Sequence, residues 1–421
     1  ILLSSCGGPK LETTSQLETN FINPPKEAKP KTWMHAMSGN MTKAGLTKDL
    51  ESMDEVGIGG LLLFNITQGI PNGPIIYNSE KHHDMIKHTA IEAERLGLSF
   101  GVHNCDGWSS SGGPWVTPEE SMKMVVWSET IISGGQVGVN LEEPTKREGF
   151  YKDIAVIAYP SLASELDDTQ NEPIITASDT GLDISIISDG KIDNESPLQK
   201  KDGQDPWVQF SYDKPKTVQS AKLFFNDRHA TAMLQTSNDG KKFKDVRDLF
   251  KVRTGKGEWA INDHFKPITS KYFRLKFNQA TTLKEVQLTS NYFINNPLGR
   301  TAIARTEDDK LAPIGSPKSD MVIDKSKIKD LTPFMDENGV LSTELPEGNW
   351  TILRFGYTST GAFNNPASDA GRGLEVDKLN RKAFKNFFDG FVNKVIDNTK
   401  PIAPNALQYI EIDSYEMGGQ N

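Results

Sequence analysis

Residues 56–64 read Val56-Gly57-Ile58-Gly59-Gly60-Leu61-Leu62-Leu63-Phe64, a glycine-rich turn running into an unbroken apolar stretch. A run without polar alternation suits a strand buried on both faces, as in a parallel sheet. Just upstream, Thr42 can N-cap a helix in which Leu46, Leu50 and Met53 recur at helical spacing. Residues 32–37 (TWMHAM) read as an earlier strand ending in the turn Ser38-Gly39-Asn40. Downstream, Ser79 can cap a second helix running to Leu96, Gly97 suits its C-cap, and residues 98–103 (LSFGVH) read as a third strand. The order βαβαβ predicts an α/β fold with a parallel sheet.

The pattern then stops, and the next convincing helix spans 377–398, with Phe384, Phe387, Phe388, Phe391, Val392 and Val395 on its apolar face. A strand over 407–412 (LQYIEI) follows and ends at Asp413. Four strands and three helices predict part of a (β/α)8, TIM-like barrel, interrupted after its third strand and continued past Asn421. The alternative is a doubly wound sheet, but Gly57-Ile58-Gly59-Gly60 precedes a strand and opens no helix, so no phosphate loop supports it. Between Pro173 and Ser290, short β runs such as 207–210 and 272–277 are divided by turns including Asn238-Asp239-Gly240, as in a β-sandwich. The ordered stretches SDGKIDN, DPWVQFSYDKP, LQTSNDGKKFKDV and SKYFRLKF resemble the discoidin-like β-sandwich family, whose members bind carbohydrate or act as spacers. The expected organisation is a tether over 1–20, barrel over 21–130, a β linker over 131–172, the sandwich over 173–290, a β extension over 291–360 and barrel again over 361–421.

A chain of 421 residues is expected to hold two or three domains. Its net charge of −9, with no basic cluster, argues against nucleic acid as a partner. No apolar run reaches the length of a membrane span. The opening Ile1-Leu2-Leu3-Ser4-Ser5-Cys6-Gly7 resembles the end of a bacterial lipoprotein signal, which makes Cys6 a lipidation site and predicts a lipid anchor in the periplasm or outer membrane. Both ends of the chain read as cut from a longer protein. Of the two cysteines, Cys105 would then stand alone, which excludes a disulfide scaffold and a cysteine-based zinc site.

In a barrel, chemistry gathers at the C-terminal ends of the strands. That rule selects His35, Ser38 and Asn40 after the first strand, Asn65 after the second, His103, Asn104, Asp106 and Trp108 after the third, and Asp413 and Glu416 after the fourth. Carboxylates with tryptophans and no cationic cluster suit a sugar more than a phosphate. Glu416 could donate a proton to a leaving oxygen, with Asp413 raising its pKa, or could instead cap a helix or pair with a surface arginine. Glu375 and Asp377 have the spacing of one strand face, and Asp377 could equally cap the following helix. The Gly- and Ser-rich stretch 103–115 is either a functional loop or a plain connection. His35 and His103 could pair on a metal, though stacking or hydrogen bonding to sugar suits them better, while His82 and His83 are expected on solvated surface. No G-x-S-x-G elbow is present, which argues against a serine hydrolase.

The blocks FINPPKEAKPKTWMHAMSGNMTKAGLTKDLESMDEVGIGGLLLFN, AIEAERLGLSFGVHNCDGWSSSGGPWVTPEESMKMVVWSE, LPEGNWTILRFGYTSTG, GRGLEVDKL and IEIDSYEMGGQN resemble glycoside hydrolase family 106, the α-L-rhamnosidases. The resemblance implies a (β/α)8 barrel with β-sandwich attachments and hydrolysis of terminal α-L-rhamnosyl groups with inversion. It implies that Glu416 is the general acid and that the base lies later in the protein, so that these 421 residues alone are expected to be inactive. His35, His103, Asn104, Asp106, Trp108, Glu375 and Asp413 are the expected sugar-binding residues. No cofactor is required for this chemistry, although calcium is an ion associated with the family. His35-Ala36 departs from the more aromatic first-strand pattern, which leaves a different sugar open. A lipid-anchored carbohydrate-binding protein without catalysis is the remaining alternative.

Overall fold

The computed structural model describes residues 14–109, 111–192, 194–249, 251–253, 259–294 and 316–413. The protein is a mixed α/β molecule. Its parallel sheet contains β1 (Lys31–Met37), β2 (Gly60–Ile66), β3 (Ser99–His103) and β4 (Leu407–Glu411), in that spatial order. Every residue of β2 and β3 is buried, which is why their sequences lack alternation. The sheet is flanked by α1 (Lys43–Glu55), α2 (Glu80–Leu96), α3 (Arg381–Gly390) and α4 (Val392–Thr399). Leu61, Leu63, Phe100 and Val102 pack on Leu50, Ile86, Ala90, Ala93, Val392 and Val395 of these helices. Leu62, Phe64 and Ile66 point to the opposite face, where Trp108 and Tyr409 join them.

The helix ends follow local chemistry. Thr42 accepts a hydrogen bond from the Gly45 amide at 3.1 Å, and Ser79 accepts one from His82 at 3.3 Å. Gly97 ends α2 at φ +68°, a left-handed conformation that glycine adopts without steric cost. The single helix expected over 377–398 is two helices. Phe391 breaks the run with φ −140° and is buried against Tyr77, His82 and His83. Asn380 caps α3, accepting from Lys382 and Ala383, whereas Asp377 accepts from the Leu379 amide ahead of the helix. His82 and His83 are buried, contrary to their expected solvation, because the start of α2 faces the Phe391 ring. Burial lowers the pKa of His82 to about 3, so its ring is neutral.

Residues 122–362 form a second compact unit; the first takes the chain up to Ser121 and again from Phe363. In the second unit an eight-stranded antiparallel sheet encloses one apolar core that includes Phe210, Phe225, Phe273 and Phe277. Its long strands Trp207–Phe225 and Trp259–Phe277 change register between Ser211 and Lys216 and again between Val218 and Ser220. A separate four-stranded sheet is ordered Lys329–Asp330, Tyr151–Pro160, Asn349–Ser359 and Lys123–Ser133. Its last strand runs across the expected division at 130/131, because it pairs along its whole length with Asn349–Ser359. Among the described residues no helix is long and apolar enough to cross a membrane.

Candidate active site

The register of the parallel sheet brings one row of side chains together at its C-terminal edge. His35 pairs with Phe64 and Glu411 with His103, and the His103 ring stacks on Phe64 at 4.2 Å and 16°. Such a ring pair contributes about 0.5–1.5 kcal/mol beyond area burial. His35 contacts Phe64 at 5.8 Å, so the row His35–Phe64–His103–Glu411 crosses all four strands. Trp33, 55% exposed, stands edge-on to His35 at 5.9 Å, and Trp108 packs on the same face. Closer to the strand starts, Tyr409 lies over Gly101 to donate to the Leu61 carbonyl at 2.7 Å, and Lys31 rests 4.6 Å from its ring centroid. The face therefore combines exposed aromatic surface with polar groups at its edge.

His103 is fixed at both ends of its ring. Nδ1 donates to the Cys105 carbonyl at 2.9 Å, and since a carbonyl can only accept, Nε2 is left as an acceptor in the neutral ring. Nε2 lies 3.4 Å from Glu411 Oε2. Burial lowers the pKa of His103 to about 4, against the opposing effects of the Cys105 carbonyl and the charge of Asp413. Burial, and then the charge of Asp413, raise Glu411 to about 7. Between about pH 4 and pH 7 the contact is therefore a neutral acid facing a neutral imidazole, rather than an ion pair.

Behind this row, loop 104–113 is held by buried polar groups. Asp106 is fully buried; it accepts from the Ser368 amide at 2.9 Å, the Ser368 hydroxyl at 2.5 Å and the Asn65 side chain. Burial raises its carboxyl to about 6, against those hydrogen bonds. Asn364 donates to the Asp106 and Gly371 carbonyls at 2.8 and 2.9 Å. Asn104 donates to Ser111 at 2.8 Å, and burial pushes the Cys105 thiol up, so it stays unreactive. Glu375 is buried in the short ladder between Leu374–Glu375 and Gly112–Gly113 and is paired with Lys378.

Of the expected sugar-binding residues, His35 and Trp108 lie on the open face, His103 is on the same face but buried against Phe64, and Asp413 is just beyond the end of β4. Asn104, Asp106 and Glu375 are buried and bonded to the protein itself, where they shape the loops. Glu416 and Cys6 lie outside the described residues. Trp33, Asn364, Ser368 and Glu411 were not anticipated. Glu411 carried a usable signal: the one acid in the strand Leu407–Glu411, flanked by Ile410 and Ile412. Among the described residues no three or more His, Cys, Asp or Glu side chains converge in a way that could hold a metal.

Comparisons with known proteins agree with this architecture. The structure superposes on that of a rhamnosidase from Novosphingobium sp. PP1Y with a TM-score of 0.79 and 29% identity, covering 96% of this chain and 40% of that one. A Formosa agariphila protein, provisionally named a beta-glucuronidase, is 31% identical over 423 residues, which is all of this chain and 26% of the relative. The chain thus spans well under half the length of either protein. The family model described as alpha-L-rhamnosidase matches residues 22–421, and the chain belongs to glycoside hydrolase family 106.

Proposed function

We propose that the full-length protein hydrolyses terminal α-L-rhamnosyl groups of glycans with inversion, and that the edge of the parallel sheet forms part of its active site. The observation that carries this reading is the row His35–Phe64–His103–Glu411 with Trp33 and Trp108 on the same face, in a chain matched along 22–421 by the rhamnosidase family. Flat aromatic faces suit the CH surface of a pyranose, and carboxyl groups beside them suit acid/base work. Glu416, shortly after Asp413, is the proposed general acid, with the base supplied from further along the protein. The four strands in sequential order, with helices on one face, support a (β/α)8 barrel completed by the remaining chain. A lipid on Cys6, attachment in the periplasm or outer membrane, a discoidin-like role for 173–290 and an associated calcium ion remain parts of the proposal.

A second reading keeps the fold and changes the sugar. The Formosa relative's name favours it, as does the His35-Ala36 pair in the first strand. Proton NMR of an aryl α-L-rhamnoside during turnover by the full-length protein tests both. The first sugar released should be rhamnose of inverted anomeric configuration. Retained configuration would contradict the mechanism, and release from an aryl β-glucuronide alone would replace the substrate. The 421-residue chain by itself is expected to release nothing.

A further inference from the structure

We infer that Glu411 and His103 form a positioning pair at the floor of this site, and that its working state holds a single proton between the Glu411 carboxyl and His103 Nε2. The inference rests on the glycosidase reading above and adds a group that the strand-end rule did not select.

Three observations carry it. First, Glu411 Oε2 and His103 Nε2 are both buried atoms without another hydrogen-bond partner among the described residues, and they face each other at 3.4 Å. Two leftover atoms that complement each other, one able to donate when protonated and one able only to accept, define the proton's place. Second, His103 cannot swing away. Nδ1 is tied to the Cys105 carbonyl at 2.9 Å, the ring lies flat on Phe64, and only 1% of the side chain is exposed. Third, the Glu411 side chain retains 25% exposure, so the carboxyl meets the open face of the sheet while Oε2 is turned inward. A protonated Glu411 donates to Nε2 and offers its other oxygen as a neutral acceptor to a sugar hydroxyl.

The surrounding ionisable groups favour that state. Asp413 lies two residues ahead on the same strand end, and its charge opposes ionisation of Glu411. Just past β3 the Cys105 thiol lies 3.9 Å from Nδ1 and is kept neutral by burial. On β2 the His103 ring meets uncharged Phe64, and His35 of β1 stands beyond Phe64. Burial raises Glu411 and lowers His103, so both effects place the proton on the carboxyl. Above neutrality Glu411 ionises, the hydrogen bond to Nε2 is lost, and two carboxylates stand together at the end of β4.

The test uses the full-length protein with histidine labelled for NMR, as wild type, Glu411→Gln and Glu411→Ala. Assigned through His103→Gln, the wild-type His103 ring signal should show an inflection near pH 7 that reports Glu411, and Glu411→Gln should abolish it. An inflection only at ordinary carboxylate pH, about 4.3, would overturn the pair. In turnover, the amide of Glu411→Gln still donates to Nε2 but cannot ionise. Its kcat/KM relative to wild type should rise about tenfold between pH 6 and pH 8, because titrations of other groups cancel in the ratio. Glu411→Ala, which also cannot ionise, should show the same rise but from a far lower value at pH 6, because it has no donor for Nε2. A pH-independent ratio would overturn the proposal. If no variant, wild type included, releases any sugar, the hydrolase reading fails while the ring titration still decides the pair.

Discussion

Among single residues, burial separates groups that a strand-end rule treats alike. His35 and Asp106 both sit at strand ends, yet His35 is exposed on the sheet face while Asp106 is enclosed by Ser368, Asn65 and the loop backbone. A linear sequence gives the position after a strand but not the side to which the next turn sends a side chain, so the sugar-facing role expected for Asp106 had no local signal against it. The structural role has a pH signature. Burial raises Asp106 from 3.8 to about 6, so the folded state holds its proton more tightly than the unfolded chain does. Its contribution is fully present below about pH 4 and is lost as pH rises to about 6, by up to roughly 3 kcal/mol at about 1.4 kcal/mol per unit. Urea unfolding across this range should show wild-type stability falling relative to Asp106→Asn. Parallel pH dependence in the two proteins would contradict this account.

Strands and caps were legible where they depend on local pattern. Thr42, Ser79 and Gly97 act as the sequence suggests, β1, β3 and β4 fall within a residue of their expected spans, and β2 runs two residues past Phe64. The break at Phe391 was not legible, because the apolar helical period continues through it; the kink is set by the rings of Tyr77, His82 and His83, supplied from elsewhere in the chain. The same distant packing buries the two histidines. Gly101 shows how an element depends on its neighbour. A Cβ there would stand 2.1 Å from the Tyr409 ring, which covers β3 at that point and bonds Leu61 on β2. Gly101→Ala should destabilise the protein by about 1–3 kcal/mol through displacement of Tyr409. Combining it with Tyr409→Ala should cost less than the sum of the two single changes, since both act at one contact. Additive losses in thermal or urea unfolding would show that the close approach matters little.

For the molecule as a whole, the sequence signal was an interruption: the βαβαβ pattern stops after β3 and returns in β4, which pairs directly with β3. Pairing between distant segments was harder to read. Lys123–Ser133 joins Asn349–Ser359 in full register across the intervening eight-stranded sheet, and no local periodicity encodes that choice. The arrangement leaves an aromatic and acidic edge on the parallel sheet, and the central claim is that this edge belongs to a rhamnoside-cleaving site with Glu416 as its acid. The most direct measurement is sugar release by the full-length protein, with and without Glu416→Gln, across a panel of aryl glycosides. The account predicts release of rhamnose, reduced about 10²-fold or more in the variant as expected for loss of a general acid. Undiminished rhamnose release by Glu416→Gln, or glycan binding without release of any sugar by the wild type, would contradict it.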